Sequence, residues 1–202
     1  MKRRPQANDE GTYTISTPQT NGQVIRTPRL YEAIVWAITR GKEGAFRRFC
    51  AELAELKPGE AVLDVGCGVG TMALAAKEYV GAAGRVVGIE PSREMVVYAR
   101  EKAKRRKAAV VFRQGVIEQL DFAEQSFDAI LCLIVMHHMP DEAKIQGIQE
   151  MARVLKPGGR LVVVDSNLDL LPSFEKEGFV KMNEGKAPVS GYDFALWKLG
   201  EK

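Results

Sequence analysis

The sequence predicts an α/β fold: a mainly parallel sheet with helices on both faces, closed by an antiparallel pair at the C-terminal end. Three observations predict it. Short apolar runs alternate with helical stretches between residues 61 and 165, which is the pattern of βαβ units. The first run ends in a cluster of glycines that opens a helix. The tail changes character, with two strand-like runs separated by Asn, Gly, Pro and Ser, as in an antiparallel pair. Composition is consistent. The chain has 202 residues, 46% hydrophobic and 27% charged, with formal net charge +3. These values fit one folded domain and exclude a disordered, collagen-like or strongly basic chain. No run approaches the ~20 apolar residues that cross a bilayer. The basic start Met1–Pro5 leads into polar residues rather than a signal-peptide core, so a cytoplasmic location is expected. Cys50, Cys67 and Cys132 are odd in number and widely spaced, which argues for free thiols and against a disulfide framework or a zinc site.

Each element follows in order. Residues 1–28 are polar and turn-rich and read as an extended or loosely packed arm. Leu30, Tyr31, Ile34, Val35 and Ile38 recur at helical spacing, and Phe46, Phe49, Cys50, Leu53 and Leu56 form a second series stopped by Lys57-Pro58-Gly59. The expected strands are 61–65, 85–89, 110–112, 127–135 and 160–164, with helices at about 71–80, after Ser92 and from Asp141. Ser92 is a candidate helix cap, with Met95, Val96 and Ala99 on the inner face. The tail pair is 178–182 and 192–197. The expected organisation is therefore an arm (1–28) and one domain (29–202). That domain divides into a helical lid (29–57), a core (61–165) and C-terminal antiparallel strands (166–202).

The most informative segment is Asp64-Val-Gly66-Cys67-Gly68-Val-Gly70-Thr71. Glycines after a strand let the backbone turn sharply and approach a ligand, and the helix behind offers free N–H donors. Glu90, twenty residues past Gly70, ends the second strand, where a carboxylate can accept both ribose hydroxyls. A dinucleotide fingerprint would place glycine at position 71, where this chain has Thr71. Asp64 would repel a pyrophosphate but tolerate an ammonium group. The pattern suits an adenosine carrying a positively charged amino-acid tail.

These residues carry a family resemblance. Val62–Thr71 resembles motif I of class I S-adenosylmethionine-dependent methyltransferases, and Val87–Met95 resembles their second motif. Ser126–Cys132, Met136–Asp141 and Arg153–Arg160 are similar to the later motifs of the ubiquinone/menaquinone-biosynthesis-like branch. The resemblance implies a Rossmann-like, seven-stranded fold. It also implies S-adenosyl-L-methionine as cofactor, S-adenosyl-L-homocysteine as product, and no metal. Asp64, Gly66, Cys67 and Gly68 would hold the methionine part, and Glu90 the ribose. Pro91 and Met95 would flank the adenine, with Gly115, Val116, Ile117 and Leu133 completing the cofactor site. Val116 departs from the family, which places an adenine-binding Asp there; Glu118, a backbone carbonyl or water would have to replace it. Tyr31 is a candidate wall of the substrate pocket, since helices before the first strand close over the site in this family.

The two histidines, His137 and His138, are adjacent and follow the fourth strand, at the edge where ligands of open α/β sheets bind. Either can serve as general base, His137 being the first choice; the alternative is that the pair caps a loop beneath the pocket. The basic run Arg100–Lys107 reads as a solvated helix end rather than a phosphate contact. The expected activity is methyl transfer to a small-molecule O, N or C nucleophile by in-line displacement. The alternatives are a catalytically silent S-adenosylmethionine-binding module and an enzyme acting on a lipid, quinone or macromolecule. The expected partner is a small acceptor, with neither nucleic acid nor stable membrane insertion. A homodimer would let a second subunit help enclose that acceptor.

Overall fold

A computed structural model describes residues 20–39, 41–166, 171–189 and 191–200. Most of the expected arm, residues 1–19, lies outside the described residues.

Two helices, α1 (Pro28–Ile38) and α2 (Glu43–Leu53), precede β1 (Ala61–Val65). Next come α3 (Thr71–Val80), β2 (Arg85–Glu90), α4 (Arg93–Arg105), β3 (Val110–Gln114) and β4 (Phe127–Leu133). A single 3-10 turn at Met136–His138 leads into α5 (Asp141–Val154) and β5 (Leu155–Asp165). The chain ends with α6 (Leu171–Lys176), β6 (Phe179–Lys186) and β7 (Asp193–Leu199). The seven strands form one sheet in the order β3-β2-β1-β4-β5-β7-β6. The first five pair in parallel; β7 runs antiparallel to both β5 and β6. This is the expected mainly parallel sheet with an antiparallel C-terminal pair.

Both faces are packed, as a parallel sheet requires. One core layer joins Phe46 and Cys50 of α2, Leu74 of α3 and Val96 of α4 to Val62 and Val162 of the sheet. The other joins Ile148 and Met151 of α5 to Leu63, Ile130, Leu161 and Trp197. Alternation along β1 puts Leu63 and Val65 in the α5 layer, so Asp64 shares the opposite side with Val62. Ser92 caps α4, its hydroxyl accepting from the Met95 N–H at 3.3 Å.

Several elements differ from expectation. β4 stops at Leu133 rather than 135, because Ile134 takes a left-handed backbone, and β6 continues to Lys186 rather than 182. β5 starts at Leu155 rather than Arg160, because the Lys156–Gly159 segment bulges while staying beside β4: Phe127 pairs with Leu155, but Ala129 pairs with Arg160. The connection after β5 carries a helix, α6, that has too few residues to show a period. The apolar series of α1 does not face the core as a set. Tyr31 and Val35 turn inward, but Leu30 and Ile34 are 58% and 47% exposed.

β1 and β4 are neighbours in the sheet although they are not consecutive in the chain. Connections leave in opposite directions from this point, which opens a crevice at the carboxyl ends of the two strands.

Candidate functional site

The crevice is a cavity that opens to solvent. Its floor is the glycine turn. Gly66, Gly68 and Gly70 all have positive φ (+67°, +51° and +75°). Space as well as conformation decides two of them. A Cβ on Gly66 would lie 2.4 Å from Val135 Cγ2, and one on Gly70 would lie 2.6 Å from Phe112 Cζ. At Gly68 the nearest atom, Tyr31 Cε1, is 3.6 Å away, so only the backbone conformation favours glycine there. Glu90 fastens the turn: one carboxylate oxygen accepts from the Gly68 N–H at 3.2 Å, the other from the Ser92 N–H at 3.0 Å. Lone pairs remain on both oxygens for a ligand in the cavity. Burial pushes the Glu90 carboxyl above its usual range, against these two hydrogen bonds.

The opposite wall is the loop after β4. Ile134 holds φ +61°, a rare conformation for a β-branched residue. It is pinned by its N–H, which donates to the Val164 carbonyl at 2.6 Å. The wholly buried Asp165 then organises the turn. Its Oδ2 accepts from the backbone N–H groups of Val135, Met136 and His137 at 3.1, 2.8 and 3.3 Å. Its Oδ1 lies 3.0 Å from His137 Nδ1 and accepts from the Ser166 N–H at 2.7 Å. The His137 and His138 rings touch at a tilt of 43°, with centroids 3.8 Å apart. His138 faces the cavity, and burial first, then neighbouring His137, lowers its pKa; Asp165 opposes them.

The ceiling comes from the end of the arm. The Gln23 N–H donates to the His138 carbonyl at 3.0 Å, and the Thr20 hydroxyl donates to Glu118 Oε1 at 2.8 Å. Ile25 reaches the same cavity. Three buried polar atoms around the site have no partner: Asp64 Oδ2, Glu118 Oε2 and Arg47 Nε. Asp64 is 2% exposed, and burial raises its pKa to about 7 although Arg47 pulls the other way.

Residues 62–159 match the family described as methyltransferase domain. A demethylmenaquinone methyltransferase of Shouchella clausii is 30% identical over 168 residues, which span 82% of this chain and 69% of that protein. The protein of the same name from Alkalihalophilus pseudofirmus is 28% identical over 173 residues, spanning 83% and 72%. The chain belongs to the class I S-adenosylmethionine-dependent methyltransferases. It falls in their ubiquinone/menaquinone-like branch, and it is an enzyme of the methyl-transferring class. Solved structures repeat the fold. The [4+2]-cyclase SpnF superposes with TM-score 0.71 at 19% identity, covering 91% of this chain and 100% of that one. A SAM-dependent methyltransferase from Aquifex aeolicus gives 0.66 at 23%, covering 76% and 88%.

The methyltransferase fold brings most of the expected residues together. Tyr31, Gly66, Gly68, Glu90, Pro91, Met95, Gly115, Val116, Ile117 and His138 all line the cavity. Four side chains lie elsewhere. Asp64 points beneath the turn toward the α2 layer. Cys67 packs its sulfur over Gly88, where a Cβ would come within 2.8 Å of it. Leu133 belongs to the sheet core. His137, the first choice as base, turns to Asp165 and lies behind His138 rather than in the wall.

Residues that sequence reasoning missed include Thr20, Gln23 and Ile25 in the ceiling, Val135 and Met139 in the wall, and Asp165 and Arg47 behind it. Asp165 had one legible signal, an acid ending an apolar strand. The ceiling had none, because its partners lie about a hundred positions away in the chain.

Among the described residues no group of His, Cys, Asp and Glu side chains could hold a metal ion, and no helix is long and apolar enough to cross a membrane.

Proposed function

We propose that this methyltransferase transfers a methyl group to a small, apolar O, N or C nucleophile held between the glycine turn, the His138 loop and the arm segment above them. The observation that carries the reading is the mixed lining of one cavity. Glu90 and the backbone of Gly66 and Gly68 mark its cofactor end, and Ile25, Val135 and Met139 beside His138 its apolar end.

S-adenosylmethionine fits the residues present. Its ammonium and carboxylate would lie over the glycine turn, where the orphaned Asp64 Oδ2 and Arg47 Nε beneath offer one charge of each sign, and its ribose would meet Glu90. Pro91 and Met95 flank the adenine. The orphaned Glu118 Oε2 accepts from the adenine amino group, replacing the Asp that Val116 displaced. The bound cofactor supplies an electrophilic methyl group on a sulfonium with a good leaving group. The protein's work is then alignment and exclusion of water, and such positioning is worth up to ~7–11 kcal/mol. Tyr31 and the arm segment shut out water. His138, whose lowered pKa keeps the ring neutral near pH 7, takes the proton of a hydroxyl or acidic C–H nucleophile. His137 and Asp165 hold that ring from behind. Two relatives are named demethylmenaquinone methyltransferases, and an apolar quinone of that class suits the apolar end.

Calorimetry with S-adenosylhomocysteine tests the cofactor end. The wild type should bind, and Glu118→Ala should bind about fivefold more weakly, the worth of one hydrogen bond. Transfer of label from S-adenosylmethionine into a demethylated quinone tests the acceptor end. A chain that binds no S-adenosylhomocysteine at millimolar concentration would sink the whole reading. Binding without transfer to the quinone would leave the cofactor site and remove that acceptor.

A further inference from the structure

The outward side of α1 is apolar. Trp36, Leu30 and Ile34 are 66%, 58% and 47% exposed, and Ala33 and Ala37 are exposed between them. At 100° per residue these five span an arc of about 160°, interrupted only by Arg29. Ile25, three residues before the helix and 38% exposed, lines the cavity. An ordinary surface helix shows the reverse arrangement, with polar residues outward. The helix is nonetheless firmly held from within. Glu32 accepts from Lys102 Nζ at 2.6 Å and from the Tyr98 hydroxyl at 2.5 Å, and Tyr31 sits against Gly68.

Basic residues accompany this face. Arg29 stands within it, Arg26 just before the helix and Lys42 just after it, and all three are exposed. Arg29 and Arg105 both lie close enough to Tyr98 to act on its hydroxyl, and Arg26 and Arg93 both act on Glu94. Of the acids nearby, Glu32 is committed to Lys102 and Tyr98, Glu101 lies 3.8 Å from Arg105, and Glu94 alone faces Arg26 and Arg93, with none beside Arg29 or Lys42 in an ion pair among the described residues. The bases therefore outnumber the acids left to answer them.

We infer that α1 docks the enzyme on an anionic lipid surface, its apolar side entering the headgroup boundary and its arginines meeting the lipid phosphates. A helix with an apolar face accompanied by basic residues has the features of an interfacial helix. The charge argues against a second copy of the chain as occupant: a two-fold contact through this face would set these basic residues against their own copies. The docked orientation puts the Ile25 side of the cavity at the lipid boundary, where an apolar molecule can enter without crossing water. The inference stands apart from the methyl-transfer reading, because lipid binding is measured without turnover.

The full chain is mixed with phosphatidylcholine vesicles, with or without phosphatidylglycerol, and sedimented. It should pellet with the anionic vesicles, far less with the neutral ones, and less as salt rises. The chain has two tryptophans, and Trp197 is buried against Phe174, so a blue shift of emission on vesicle addition reports Trp36. Leu30→Glu with Ile34→Glu should weaken vesicle binding by more than about tenfold while S-adenosylhomocysteine affinity stays at the wild-type value. The wild-type emission keeps the test valid if that variant folds poorly. Absence of both pelleting and shift would overturn the inference. So would a dimer, seen by light scattering without lipid, that dissolves in the double variant, because the face would then be a self-contact.

Discussion

On the proposed reading, one carboxylate, Asp64, ties the fold to the ligand. An unfolded aspartate ionises near 3.8, whereas burial keeps the folded, ligand-free Asp64 protonated up to about 7. The folded chain therefore binds the extra proton, and this group lowers stability progressively as pH rises from 3.8 to about 7. Asp64→Asn should flatten that part of the urea-denaturation profile. A cationic ligand tail selects the ionised form, so binding below about 7 must release a proton. S-adenosylhomocysteine affinity should fall by up to about tenfold per pH unit on the acid side, and the slope should vanish in Asp64→Asn. Calorimetry in two buffers of different ionisation enthalpy reads the released proton directly. At this scale the sequence was informative about Asp64 because Asp stands out inside an apolar strand. It was silent about Arg47 and Asp165, whose meaning comes from neighbours distant in the chain.

Among the elements, the glycine turn was legible and the ceiling was not. Gly-x-Gly after a strand announces its own conformation, and Ser92 announces the cap of α4; both are local chemistry. Residues 20–25 are polar and turn-like, and nothing in them signals Glu118 or His138 as partners. The orientation of α1 was hidden for a related reason. Periodicity shows that a helix has an apolar side but not which way the side faces. The turn itself gives a graded prediction. Gly66→Ala combines positive φ with the 2.4 Å approach to Val135 and should lose more than tenfold in S-adenosylhomocysteine affinity, with a stability loss of about 1–3 kcal/mol. Gly68→Ala meets nothing closer than 3.6 Å and should be milder in stability. Calorimetry and urea denaturation of the pair would separate space from backbone conformation.

For the molecule as a whole, the α/β alternation was readable because each unit is short and contiguous. The placement of β7 between β5 and β6 follows instead from packing at the sheet edge. Trp197 anchors that edge: it pairs with Leu161 and stacks on Phe174 at 4.8 Å. Trp197→Ala should cost about 3–5 kcal/mol in urea denaturation. Trp197→Phe should cost far less, because the indole N–H is buried without a partner and no hydrogen bond is lost. The conformation of Ile134 bears on the history of the protein as well as its shape. A left-handed, β-branched residue is a standing disadvantage, and Gly at that position would relieve it. Selection for stability alone would have every reason to make that exchange. Ile134→Gly should therefore relieve the backbone and, on the proposed reading, loosen the wall that carries His138.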